Sequence, residues 1–78
     1  MQKMNIPISV IFEKIPQKVL YAGREHRIEK LGLHHTYRAG RTLYHVFSVA
    51  SSDLFLRLVL DTDNLVWKLT EVSDGEAN

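Results

Sequence analysis

Regular alternation of apolar and polar residues in the second half of the chain limits the fold more than any other feature. Three segments show it: TLYHVFSVA at 42–50, LFLRLVLD at 54–61 and LVWKLTEV at 65–72. Such alternation is typical of β-strands that bury one face, and the links SSD and DTDN favour turns. An antiparallel meander is therefore predicted. Its core-facing residues are Leu43, His45, Phe47, Val49, Leu54, Leu56, Leu58, Leu60, Leu65, Trp67 and Leu69.

The first half of the chain shows a weaker form of the same pattern. In NIPISVIFEK the apolar residues at alternate positions are Ile6, Ile8, Val10 and Phe12. Pro7 has no N–H to donate to a neighbouring strand, so this strand is predicted to lie at a sheet edge or to begin after Pro7. The pattern resumes in KVLYAG, where Gly23 favours a turn.

The leucine-rich strand is apolar on its second face as well. Phe55 and Val59 share that face, and a sheet that is apolar on both faces has to be covered on both. The cover is either the curl of the sheet into a barrel or a partner, including a second copy of the chain. Phe55 and Val59 are therefore candidate interface residues.

Length and composition predict one domain, and the alternating segments predict its fold class. A chain of 78 residues with 45% hydrophobic content is expected to form one domain, 1–78. We predict an all-β domain, either a curled antiparallel meander sheet or a small open barrel of five to seven strands. The polar end SDGEAN predicts a disordered tail at 74–78.

Missing residue types and motifs exclude several classes of site. The chain has no cysteine, which excludes disulfides, thiolate zinc sites and cysteine nucleophiles and suits a cytoplasmic location. Charged residues interrupt the apolar stretch near the N-terminus, so neither a signal peptide nor a membrane span is expected. No phosphate loop, nucleophile motif or paired acids are found, so no catalytic residue, cofactor or enzyme activity is predicted.

The stretch REHRIEKLGLHHTYRAGR, residues 24–41, carries five of the ten Lys and Arg residues. Its periodicity fits a helix and a pair of strands about equally well. In a helix, Ile28 and Leu31 share a face and Gly32 ends the helix, but that face then holds only two apolar residues. In the alternative, two strands meet at a bend at Gly32.

Four segments, YAGREHRI, YRAGRTLYHVFSV, LFLRLVLD and VWKLTEVSD, together resemble a family of short bacterial proteins of unknown function. The shared pattern is Gly-Arg with an aromatic residue and Val shortly after, an apolar strand that ends in Asp, a Trp-x-Leu strand and a final Asp. The matching positions are Gly40, Arg41, Tyr44, Val46, Asp61, Trp67, Leu69 and Asp74.

The resemblance implies an all-β fold with strands over residues 24–38. Because some members lie beside or within translesion DNA polymerase systems, it also implies a setting in DNA repair. The chain departs from the family near residues 33–38, where His34, His35 and Tyr37 stand in place of tryptophans. If those tryptophans have a stacking role in the family, this chain lacks the residues that perform it.

The basic stretch allows two site hypotheses. The candidate nucleic-acid-binding residues are Arg24, Arg27, Lys30, Tyr37, Arg38 and Arg41. Cations of this kind neutralise phosphates and a tyrosine stacks on a base, although Arg and Lys equally supply the solvated face of a sheet. Residues of opposite parity point to opposite faces of a strand, so the five cations share one face only if the register changes. Adjacent His34 and His35 also point apart, so no metal site is predicted.

The sequence thus predicts a small all-β binding or accessory domain that acts through protein–protein contacts, with a homodimer as one form. Its link to DNA repair comes from the resemblance alone. The alternative is a nucleic-acid-binding module that uses residues 24–41.

Overall fold

Residues 2–12 and 16–74, the part of the chain that the computed structural model describes, fold into seven antiparallel strands. The strands are β1 (Gln2–Phe12), β2 (Pro16–Tyr21), β3 (Arg24–Arg27), β4 (Lys30–Ala39), β5 (Thr42–Ala50), β6 (Leu54–Asp61) and β7 (Val66–Asp74). Their order in the sheet is β3-β2-β1-β7-β6-β5-β4. The predicted all-β class and curled antiparallel sheet are confirmed, and the sheet does not close into a barrel.

The predicted meander is β5, β6 and β7. Leu58 lies at its centre, opposite Phe47 on β5 and Leu69 on β7. All three side chains are buried, and Leu58 and Leu69 are fully so. We call the side that carries these residues the core face and the opposite side, which carries Val46 and Val59, the outer face.

A hairpin of β2 and β3 covers one end of the core face. Val19 on β2 is completely buried and belongs to the same apolar cluster as Phe47, Leu56 and Val72. His26 on β3 is opposite Val19 and is also buried. The core therefore lies between the five-stranded part of the sheet and this hairpin.

The prediction for Pro7 was wrong, because β1 is an internal strand and begins at Gln2. β1 pairs with β7 from Gln2 to Ile8 and with β2 from Ser9 to Phe12. At Pro7 it therefore has a paired neighbour on one side only. A residue without an N–H is tolerated where a strand is locally an edge.

Residues 24–41 form strands, as the resemblance implied, but the break between them is not at Gly32. It lies at Ile28 and Glu29, which separate β3 from β4. The Ile28 N–H donates to Gln17 O at 2.9 Å and the Glu29 N–H donates to Ala50 O at 2.8 Å. This link joins the β2–β3 hairpin to the β5 side of the curled sheet.

Gly32 is instead the extra residue of a β-bulge inside β4, between the pairs Leu31–Val49 and Leu33–Ser48. A Cβ atom at Gly32 would lie 3.3 Å from the carbonyl oxygen of Ser48, which is tighter than ordinary packing. A bulge reverses the alternation of side chains beyond it.

Two predictions at the far end of the meander need correction. Leu65 does not face the core: it lies in the turn before β7 with φ of 60° and is 71% exposed. The predicted tail 74–78 begins inside β7, whose last residue is Asp74. Residues 75–78 lie outside the described residues.

Candidate functional site

Strand β4 is one of the two edges of the sheet, and it is exposed along most of its length. It pairs only with β5, and every residue from Gly32 to Ala39 is exposed. Leu33 is 56% exposed and Tyr37 is 47% exposed. Such an edge presents unpaired backbone N–H and C=O groups together with apolar side chains.

The other edge of the sheet, β3, is protected. Its sequence is REHR, so it is short and three of its four residues are charged, which are two standard ways to prevent edge pairing. By contrast, the β4 segment LHHTY, Leu33–Tyr37, contains no Asp, Glu, Lys, Arg, Pro or Gly. We call this segment the open edge; the Gly32 bulge and Arg38 bound it.

On the outer face, the open edge continues into an apolar surface. The ring of Tyr37 stacks on that of Tyr44, with centroids 5.0 Å apart. Val46, opposite His35 on β4 and Val59 on β6, is only 4% exposed although it lies outside the main core cluster. The outer face therefore has a small apolar centre of its own.

On the core face, the open edge carries an aromatic stack. The imidazole of His34 lies parallel to the ring of Phe47 at 4.3 Å, and Phe47 is 5.6 Å from Trp67. His34 Nε2 and His45 Nδ1 are 2.9 Å apart and share a hydrogen bond. One imidazole donates and the other accepts, so the two rings fix each other's orientation.

The prediction that His34 and His35 point to opposite faces is confirmed by the register, because His34 is opposite Phe47 and His35 is opposite Val46. Within residues 2–12 and 16–74, no group of three or more His, Cys, Asp or Glu side chains is arranged to hold a metal ion.

The predicted nucleic-acid-binding cations follow β3, β4 and the turn that leaves β4. Arg24, Arg27, Lys30, Arg38 and Arg41 are all exposed. The ion pairs among the described side chains are Lys18–Glu25 at 3.5 Å and Arg57–Glu71 at 2.7 Å, so none of these five cations is ion-paired there.

The five cations do not share a face. The Gly32 bulge puts Lys30 on the outer face, opposite Ala50, and Arg38 on the core face, opposite Leu43. Arg24 and Arg27 are three residues apart on β3 and face opposite sides. The cations are therefore spread over the two edge strands, β3 and β4, and the turn after β4, and do not form one basic face.

The predicted interface residues Phe55 and Val59 both lie on the outer face. Phe55 is 48% exposed, and Val59 is half-buried between Val46 and Lys68. Beside Phe55 is a shallow depression of about 160 Å³. Its lining includes Gly32, Ser48, Phe55, Arg57, Glu71 and Ser73.

Two carboxylates of the meander, Glu71 and Asp61, have structural contacts. Glu71 accepts a hydrogen bond from Arg57 at 2.7 Å. Asp61 Oδ1 accepts one from the N–H of Asp63 at 2.8 Å within the β6–β7 turn. Both side chains therefore take part in the hydrogen bonding of the meander.

Comparisons with family models, with curated proteins and with solved structures find no match to this chain. Its resemblance to the short bacterial family therefore depends on the quoted residues alone. No helix that could cross a membrane is found in the described part of the chain.

Sequence reasoning missed Leu33 and the edge position of β4. The available clue was the run LHHTY, which contains no Asp, Glu, Lys or Arg between Lys30 and Arg38. A strand buried between two neighbours and an unprotected edge strand can both carry such a run, so the pattern does not distinguish them.

Proposed function

We propose that this chain is a small all-β binding domain that acts through protein–protein contacts made by β4. The observation that carries the proposal is the open edge: five consecutive residues of an edge strand, Leu33–Tyr37, with exposed side chains and no protecting charge.

The chemistry of such an edge favours an extended peptide strand. Backbone groups of an added strand complete the hydrogen-bond ladder, and alternate side chains supply specificity. Leu33 and Tyr37 on the outer face offer apolar contacts to a partner strand, whereas His34 and Thr36 on the core face offer polar ones. The stacked Tyr37–Tyr44 pair holds one of these apolar contacts in place.

The resemblance suggests where such contacts occur. Some members of the similar family lie beside or within translesion DNA polymerase systems, so we propose a DNA-repair assembly as the setting. The partner is then another protein of that assembly or the chain itself.

Site-specific photocrosslinking in cells that express the protein tests the proposal. A photoreactive phenylalanine derivative at Leu33 is expected to give a protein adduct, because a partner strand on β4 brings its side chains against that position. Leu65 is the matched control, since it is an exposed leucine in the β6–β7 turn, away from β4.

Equal adduct yields at Leu33 and Leu65 would contradict the proposal, as would an adduct at Leu33 that nuclease removes. An adduct of one discrete mass at Leu33 alone would support it. The mass also separates a second copy of the chain from a different protein.

A second candidate function, nucleic-acid binding, is favoured by the five exposed cations without ion pairs. They follow the chain through the two edge strands, β3 and β4, and the turn after β4, and Tyr37 on β4 is exposed as well. Single-stranded nucleic acid suits this arrangement better than a duplex, because an irregular strand of phosphates can follow an edge and a tyrosine can stack on a free base.

Salt dependence tests this second candidate. If phosphates are neutralised, log K falls linearly with log salt concentration, by about 0.7 per contact for single strands. Replacement of Arg38 or Arg41 by glutamine is then expected to lower that slope by about 0.7 each, measured by fluorescence titration with labelled oligonucleotides. Lys68→Gln on β7 is the control and leaves the slope unchanged. No binding at low salt would rule this candidate out.

A further inference from the structure

We propose that the strand added to β4 is the β4 strand of a second copy of this chain, antiparallel to the first, with the two-fold axis at His35. This inference depends on the proposed function, because it names the partner of the same edge. It differs from the outer-face interface predicted from Phe55 and Val59, since it joins two sheets edge to edge.

The open edge is self-complementary about its central residue. When LHHTY pairs with its own copy across His35, Leu33 lies opposite Tyr37 of the second copy, and Tyr37 lies opposite Leu33 of the second copy. Both pairs fall on the outer face, where Leu33 and Tyr37 already lie. Aromatic–aliphatic cross-strand pairs are among those that stabilise sheets.

The core face is complementary as well. There, His34 lies opposite Thr36 of the second copy, and the same pair occurs again by symmetry. An imidazole and a hydroxyl each can donate and accept hydrogen bonds. The Tyr37–Tyr44 stack then extends across the joint, because each Tyr37 touches Leu33 of the other copy.

Neighbouring registers are worse. A two-fold axis perpendicular to the sheet keeps each face on its own side, so the axis can move only by whole residues along β4. With the axis at His34, Leu33 lies opposite His35 of the second copy instead of Tyr37, so both aromatic–aliphatic pairs are lost. With the axis at Thr36, Leu33 lies opposite Ala39 and loses its aromatic contact.

Charges next to the open edge do not oppose the axis at His35. In that register Arg38 reaches the Gly32 bulge of the second copy, and Lys30 lies on the other face. These like charges are therefore not in direct opposition. The protected β3 edge, REHR, offers no comparable self-pairing.

Cysteine crosslinking gives a register-specific test, because the chain contains no cysteine of its own. In His35→Cys, the two Cα atoms lie about 4.5–5.5 Å apart across the axis, within the range that a disulfide bridges. In Leu33→Cys, the matched control on the same exposed face, the two cysteines are four residues out of register, or about 13 Å apart along the strand.

Under mild oxidation, His35→Cys is expected to form a covalent dimer at least about tenfold faster than Leu33→Cys, as disulfide geometry requires. Sedimentation of the unmodified protein is expected to show a concentration-dependent dimer, since a joint of five residues is a small interface. Equal crosslinking of the two variants, or a monomer at all concentrations, would overturn the self-pairing.

Sedimentation and photocrosslinking together separate a failure of self-pairing from a failure of the proposed function. A Leu33 photoadduct with a different protein, together with a monomer in sedimentation, would support β4 as a protein-binding edge and would contradict a second copy as its occupant. Absence of any Leu33-specific adduct would contradict both.

Discussion

Replacement of Leu58 by alanine is expected to lower the free energy of unfolding by about 3.5 kcal/mol, the middle of the range for buried leucines. Leu58 is completely buried and lies between Phe47 and Leu69 at the centre of the meander. Domains of this size bury a smaller share of their surface than larger domains do and are marginally stable. The variant is therefore expected to unfold at much lower urea concentrations, as measured by circular dichroism.

Leu65→Ala is the matched control, because the side chain is 71% exposed. Its unfolding free energy should stay within about 0.5 kcal/mol of the original protein. Similar losses for the two variants would show that the apolar cluster around Leu58 does not stabilise the fold as the structure indicates.

Replacement of His35 by lysine is expected to weaken self-association by about tenfold or more, because it sets two ammonium groups in direct opposition at the two-fold axis. His35 is exposed on the free edge of the sheet, so the fold itself should tolerate the change. Sedimentation equilibrium of the original and variant proteins measures the dissociation constants.

His35→Gln is the control, since glutamine is polar but uncharged. It should keep the dissociation constant within a few-fold of the original. If lysine and glutamine weaken association equally, charge opposition at position 35 is not the cause and the axis lies elsewhere. Circular dichroism of both variants shows whether the sheet is intact.

The alternating segments allowed five of the strands to be predicted from sequence. Burial of one face imposes a period of two on side chains, and that period is visible in LFLRLVLD without any knowledge of its neighbours. The turn chemistry of SSD and DTDN then set the order of the meander. Leu65 was misassigned because the turn between β6 and β7 extends one residue beyond the polar run DTDN.

The features that were mispredicted depend on pairing partners, which local periodicity does not report. Pro7 is tolerated inside β1 only because β2 begins to pair after it. Gly32 marks a bulge instead of a bend because β5 continues to pair on both sides of it. The pairing at Pro7 and at Gly32 depends on two strands, so it cannot be predicted from the sequence of one segment.

The candidate site was predictable in part. The cations at 24–41 and the opposed directions of His34 and His35 followed from residue type and parity. The exposure of Leu33 did not, because apolar residues on an edge strand look the same in sequence as apolar residues in a core. The bulge at Gly32 also changed which cations share a face.

The position of β1 between β2 and β7 has a consequence for synthesis of the protein. Gln2 pairs with Val72, so β1 is synthesised well before β7, the strand that pairs with its N-terminal half. Closing so long a loop is entropically costly and slows folding. The β5–β6–β7 meander consists of local hairpins, so we expect it to form before β1 docks on it. Until then β7 is a second open edge, available to any nascent chain nearby.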